Sequence, residues 1–162
     1  MSSPFLRCVQ TASQVARELG LKVKIEHGIC EVLHTYPPNL LPLEDLDRDA
    51  HCRGCVELEH RSRTCLPTQA EHGDSECIRR AGKAARDILE NLDNQGPPDS
   101  VVLFVGHGAS CVGILSGLAG EHTYQGFCTL THLTLEPGQS EWKAEVVGGT
   151  SHLSDPTNLH AY

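Results

Sequence analysis

The sequence predicts an α/β protein, a three-layer α/β/α fold around a mainly parallel sheet, and three observations carry that expectation. Amphipathic helical stretches alternate with short extended ones along the 162 residues, an order that builds parallel βα units. Val101–Val105 (VVLFV) is a continuous apolar run, the pattern of a strand buried on both faces of such a sheet. Gly106-His107-Gly108 follows it directly, and ligands collect at the carboxyl ends of strands in sheets of this kind.

The elements follow in order. After Pro4, small or apolar residues recur at helical spacing at Cys8, Val9, Ala12, Val15, Ala16 and Leu19, and Gly20 sits where a helix end wants positive φ. Leu21–Ile25 alternates apolar and lysine and reads as a strand with one face buried, leading into a loop over Glu26–Glu31. From Thr35 to Gly73 periodicity lapses into Pro37-Pro38, an acidic patch over Glu44–Asp49, and scattered Cys, His and Arg. This is expected to be a long loop-rich insertion with short helical pieces. Asp74-Ser75 can cap the next helix, whose apolar stripe is Ile78, Ala81, Ala85, Ile88, Leu89 and Leu92, with Asn94–Pro98 ending it. Beyond the core strand come a small-residue helix over Ser110–Leu118, a strand over Thr129–Leu135, an Glu136-Pro137-Gly138 turn and a strand over Trp142–Val147. One domain over residues 1–150 is expected, with 35–73 as its insertion and 151–162 as a polar tail.

A net charge of −8 argues against nucleic acid as a partner, because polyanion binding needs an extended basic face. Any anion site must be local. Aromatic residues make up 4% of the chain, so the core is expected to be aliphatic. Several of the eight cysteines lie in helix-like or strand-like segments with no signal peptide before them, and they read as mostly reduced thiols of a cytoplasmic protein. Val101–Ala119 carries no Asp, Glu, Lys or Arg, yet Gly106-His107-Gly108 interrupts it. A strand, turn and helix therefore fit better than a membrane span. No cofactor is indicated.

Chemistry concentrates in Ser2-Ser3-Pro4-Phe5-Leu6-Arg7-Cys8-Val9-Gln10-Thr11-Ala12, where a turn runs into a helix with an arginine in its first turn. Unpaired N–H groups and the helix dipole make a helix start attractive to anions, and a guanidinium fork holds two phosphate oxygens at once. His107 and Gly108 form a second candidate, since the flanking glycines let a ligand approach the backbone beside an imidazole. Cys52 and Cys55 have zinc-ligand spacing, with His60 and Cys65 within reach. No second Cys-x-x-Cys pair or His-x-x-x-His accompanies them, so a reduced cysteine-rich loop without metal is the expectation. His27, His34 and His122 are candidates for the rim of a site.

SSPFLRCVQTA resembles the S-P-x-x-R-x-x-Q-T-A segment of the histidine phosphatase superfamily, the phosphoglycerate-mutase-like enzymes, and VVLFVGHGAS resembles its late strand and second active-site histidine. Glu26-His27-Gly28-Ile29-Cys30-Glu31-Val32-Leu33 is similar to the E-x-G-L-x-E-W-L segment of the superfamily's tyrosine-phosphatase-like branches. The resemblance implies a phosphoglycerate-mutase-like fold, phosphomonoester hydrolysis through a phosphohistidine, and a phosphorylated small molecule or phosphoprotein as partner. It assigns Arg7 and His107 to the phosphoryl group and makes Glu31 a candidate proton donor, while Gln10, Thr11 and Ala12 are structural. Asp74-Ser75 stands where many members have Glu-Ser, and the shorter aspartate weakens that part of the match.

The early R-H-G motif that supplies the family's nucleophile does not occur in these residues. The resemblance implies that the strand bearing it would lie beside Val101–Val105, leaving an apolar edge to be covered by an oligomer or a partner strand. An upstream start, a degenerate product and a strand from another chain all account for this, and the first is the reading adopted. The expectation for these 162 residues is therefore a phosphate pocket without turnover, the alternative being a phospho-ligand-binding interaction module.

Overall fold

The computed structural model describes residues 1–93, 100–157 and 159. Its elements are helices α1 (Leu6–Leu19), α2 (Leu43–Arg48), α3 (Asp74–Asp93) and α4 (Gly108–Ala119), a 3₁₀ turn (His27–Ile29), and strands β1 (Leu130–Thr134) and β2 (Lys143–Gly149). Among the described residues no helix is long and apolar enough to cross a membrane.

Helix α1 forms where its spacing places it. Cys8, Val9, Ala12, Ser13 and Ala16 are buried, and Gly20 ends the helix at φ 64°, its N–H donating to the carbonyls of Ala16 and Arg17. Val15 and Leu19, expected on the same stripe, are 37% and 64% exposed. The buried face is narrower than the apolar one, because the i, i+3, i+4, i+7 row through Val9 already fills the contact. In the 21–25 segment Val23 and Ile25 are buried while Leu21 and both lysines face out.

Parallel pairing runs through single bridges: Ser2 with Val105 on one side and Ile25 on the other, and Val23 with Val56. The ladder is real but short. Ser3 N–H donates to Val105 O (2.9 Å), Val105 N–H to Met1 O (3.0 Å), Ser2 N–H to Lys24 O (2.9 Å) and Glu26 N–H to Ser2 O (2.9 Å). Val105 packs with the α1 cluster of Val9, Ala12, Val23, Ile25, Leu46 and Val56, whereas its neighbour Phe104 packs with Ile29, Ala84, Ala85 and Ile114 of the α3 and α4 side.

The expectation that Val101–Val105 is buried on both faces is corrected. None of the five is fully buried, and Val101 is 96% and Leu103 40% exposed. Among the described residues the segment is paired along one edge only. Among the described residues no partner takes the main-chain N–H or C=O of Val102 or Phe104, which alternation turns away from Met1–Ser3.

Helix α3 starts at Asp74 itself, so the Asp74 carboxylate is free to accept the Tyr124 O–H (3.0 Å). Ala81, Ala85, Ile88 and Leu89 are buried as expected, joined by Cys77 and Ala84, while Ile78 and Leu92 are half-buried. The expected terminator Asn94–Pro98 lies outside the described residues. Helices α3 and α4 approach backbone to backbone at glycines: a Cβ on Gly82 would lie 2.6 Å from Gly113 O, and one on Gly113 would lie 2.5 Å from Ile78 O. Strands β1 and β2 form an antiparallel hairpin with His132 opposite Val146 and Leu133 opposite Ala144. The insertion holds α2, a cis Tyr36–Pro37 bond, and buried anchors at Leu46, Cys52, Cys55 and Val56. It is less regular than the rest but packed at those points.

Candidate functional site

Two turns converge at one end of the Ser2–Val105 bridge. One leads from Ser3 through Pro4 into α1 and carries Arg7 in the first helical turn, where no acidic residue competes for it. The other leads from Val105 through Gly106 to His107, which precedes α4. Ser110 Oγ accepts the His107 N–H (2.9 Å) and reaches its carbonyl (3.1 Å), fixing the backbone from which the imidazole projects. A Cβ at Gly106 would fall 2.8 Å from that Oγ, so a larger residue there would displace the hydroxyl that holds the His107 N–H.

Arg7, His107 and Glu31, a hundred residues apart at the extremes, meet at one point. Arg7 Nη2 is 3.0 Å from His107 Nδ1 and 3.4 Å from Glu31 Oε2, and Glu31 Oε2 is 3.2 Å from the same Nδ1. Phe5 stands edge-on to the imidazole (5.2 Å between centroids), and the Arg7 guanidinium lies 4.8 Å over the Phe5 ring. The arginine and carboxylate are open to solvent, with side chains 58% and 33% exposed, whereas the His107 side chain is 4% exposed. Gly108 is the first residue of α4 and half-buried beside them.

Burial pushes the Glu31 carboxyl up, but the hydrogen bond and charge of His107, the Val32 N–H and Arg7 outweigh it, and the group is held below the ordinary carboxylate range. Glu31 therefore stands as a carboxylate, not an acid. Cys8 lies beside His107, with Sγ 3.5 Å from Nε2, and burial drives its thiol up to about 12 against the pull of Arg7. Cys111 is likewise pushed to about 11. Neither is a nucleophile at neutral pH.

A cavity of about 250 Å³ opens from Arg7 between Pro4, Phe5 and Leu6 on one side and Asn39, Leu40 and Leu41 on the other. The insertion thus supplies one wall. His34 and His122 are exposed and His27 is half-buried, and among the described residues none of the three bonds to Arg7, Glu31 or His107.

The residues that hold Glu31 in place carry no motif. Arg80 donates to the carbonyls of Gly28 (2.8 Å), Cys30 (3.2 Å) and Glu31 (3.1 Å) and pairs with Glu71 at 2.8 Å, whose own carboxylate accepts the Leu33 N–H (3.0 Å). Charge on the buried face of α3, three residues from Cys77 and four from Ala84, was the available signal. Glu26 is the second anchor. Fully buried, it accepts from Ser62 Oγ, Thr64 Oγ1 and Arg63 N–H and stands 2.9 Å from His60 Nε2. His60 is thereby committed to Glu26, Cys65 is exposed, and no group of three or more His, Cys, Asp or Glu among the described residues is placed to hold a metal.

No curated protein matches this chain. A family model for the histidine phosphatase superfamily (branch 1) matches residues 1–147, a span that contains every residue of the convergence point and both turns that build it. The chain belongs to the histidine phosphatase superfamily.

Proposed function

We propose that Arg7, His107 and the start of α4 at Gly108 bind the phosphoryl group of a phosphomonoester, on a small molecule or a phosphoprotein. The observation that carries this is the convergence of an exposed guanidinium and an imidazole nitrogen 3.0 Å apart on one carboxylate, Glu31, which stands where an anionic ligand would stand. A phosphate entering there takes over Arg7 and His107, the two partners of Glu31. Its negative charge beside the carboxylate raises that group's affinity for a proton, which is what a donor to a leaving oxygen requires.

For these residues the proposal is binding without turnover. Among the described residues no second histidine touches Arg7 or Glu31, and the family's R-H-G nucleophile is absent from the sequence. In a form that carries it, that histidine would attack phosphorus, forming a P–N bond as the P–O bond to the leaving alcohol breaks, with Arg7 and His107 neutralising the equatorial oxygens. The finer architecture proposed is a three-layer α/β/α domain, supported by Val105 and Phe104 facing opposite helical layers. Eight unpaired thiols fit a reducing, cytoplasmic setting. The open edge at Val102 and Phe104 fits a second copy or a partner strand laid alongside.

Calorimetric titration of the purified chain with phosphate and vanadate, beside an aryl phosphate assay, tests the reading. Saturable binding that Arg7→Ala weakens, without hydrolysis, is expected. Hydrolysis abolished by His107→Ala would overturn the claim of no turnover, and absence of binding would remove the anion site.

A further inference from the structure

We propose that Ser3 is a positioning residue that sets the tautomer of His107, keeping Nε2 as an acceptor so that Nδ1 carries the ring proton toward Arg7 and Glu31. Its functional meaning rests on the anion-site reading, but the tautomer itself does not.

Ser3 is fully buried, and its Oγ lies 2.7 Å from His107 Nε2, the shortest contact the imidazole makes. The same Oγ accepts the Phe5 N–H at 3.4 Å. One of its two lone pairs is therefore in use, and its hydroxyl proton needs an acceptor. Nε2 is the one strong acceptor that the hydroxyl meets among the described residues; Cys8 Sγ, a neighbour of both Ser3 and Nε2, is a weak acceptor and donates to Gly106 O at 3.4 Å. With the proton on Nε2 instead, the ring would donate to Ser3 Oγ and a buried O–H would be left without a strong partner.

The other side of the ring offers both choices. Glu31 Oε2, 3.2 Å from Nδ1, accepts a proton there, whereas Arg7 Nη2 at 3.0 Å would prefer a lone pair. The two competitors differ in what they lose. Arg7 is exposed and keeps Glu31, the Phe5 ring and water if its contact with Nδ1 slackens, while Ser3 has no water to turn to. The buried hydroxyl therefore decides, and Phe5, edge-on to the ring, holds its plane.

The consequence lies at Nδ1. A neutral imidazole in this tautomer presents an N–H to an anion beside Arg7, whereas the opposite tautomer presents a lone pair and repels it. Ser3 thus acts on the anion through His107 without touching it.

The test is nitrogen-15 NMR of the histidine side chains of this chain at alkaline pH, where the rings are neutral, with His107 assigned by its loss in His107→Gln. The wild-type spectrum is expected to show Nδ1 protonated and Nε2 bare. In Ser3→Ala the two tautomers are expected to become mixed, with phosphate affinity about tenfold weaker, and Ser3→Thr is expected to restore both. A wild-type proton on Nε2 overturns the proposal, as does a folded Ser3→Ala with an unchanged tautomer. If Ser3→Ala does not fold, the wild-type spectrum alone decides. Failure of phosphate to bind the wild type would instead overturn the anion-site reading and leave the tautomer result standing.

Discussion

Arg7 is the residue whose removal separates binding from folding. Its side chain is 58% exposed and lies outside the buried face of α1, so Arg7→Ala is expected to leave thermal stability within the usual range of a surface change. Phosphate affinity, measured by calorimetry, is expected to fall at least tenfold with the loss of a charge-assisted fork. Glu31→Gln works the other way. Its carboxylate now occupies both Arg7 and His107, so neutralising it is expected to tighten phosphate binding several-fold near pH 7, by the same measurement. A weaker complex would instead mean that Glu31 contributes to holding the ligand. Both residues were legible in the sequence, because a motif names a residue together with its turn. What holds Glu31 was not, since Arg80 acts through backbone carbonyls and Glu71 through the Leu33 N–H, which no side-chain pattern records.

Elements were legible where local rules suffice and obscure where tertiary closeness decides. Helix α1 with its Gly20 end follows from spacing and from glycine's tolerance of φ 64°. Glycines 82, 113 and 117, by contrast, are a packing seam between α3 and α4 that reads in sequence only as a run of small residues. Gly113→Ala is expected to destabilise the chain by about 1–3 kcal/mol, because its methyl would meet the Ile78 carbonyl and the two helices must part. Chemical denaturation checks this, with an unchanged slope showing that the fold is otherwise kept. The Glu71–Arg80 clamp belongs to the same scale, tying α3 to the 28–33 loop. Burial raises the Glu71 carboxyl, but the Arg80 hydrogen bonds, the Leu33 N–H and the Arg80 charge outweigh it and hold it below the ordinary range. A lowered folded-state value adds stability that is complete above the unfolded carboxylate value, about 4.3, and is lost as pH falls through the folded value. Acid unfolding of the wild type is therefore expected to begin below that point, and Glu71→Gln to flatten this part of the profile while lowering stability at pH 7, where it leaves Arg80 buried beside a neutral amide. An unchanged acid limb in the variant would remove Glu71 as its source.

At the scale of the molecule, hydrophobic pattern reported which segments are apolar but not whether a strand stands beside them. VVLFV reads as a strand sandwiched in a sheet, and side-chain alternation does send Val105 and Phe104 to opposite layers. Yet among the described residues its pairing stops at Met1–Ser3, and the regular sheet is the separate β1–β2 hairpin. Apolar composition is a property of the segment, while burial is a property of its neighbours. The outcome is an edge whose Val102 and Phe104 main-chain groups have no partner among the described residues, flanked by Val101 at 96% exposure and Leu103 at 40%. Such an edge is a template for another strand. Light scattering coupled to size exclusion is expected to show self-association that rises with protein concentration. Val101→Lys, at a position with almost no contacts to lose, is expected to suppress it while leaving phosphate affinity and thermal stability alone, because a charge on the edge opposes pairing without entering the site. A monomer at all concentrations would show that this edge tolerates water on its own, and would leave the partner strand without support.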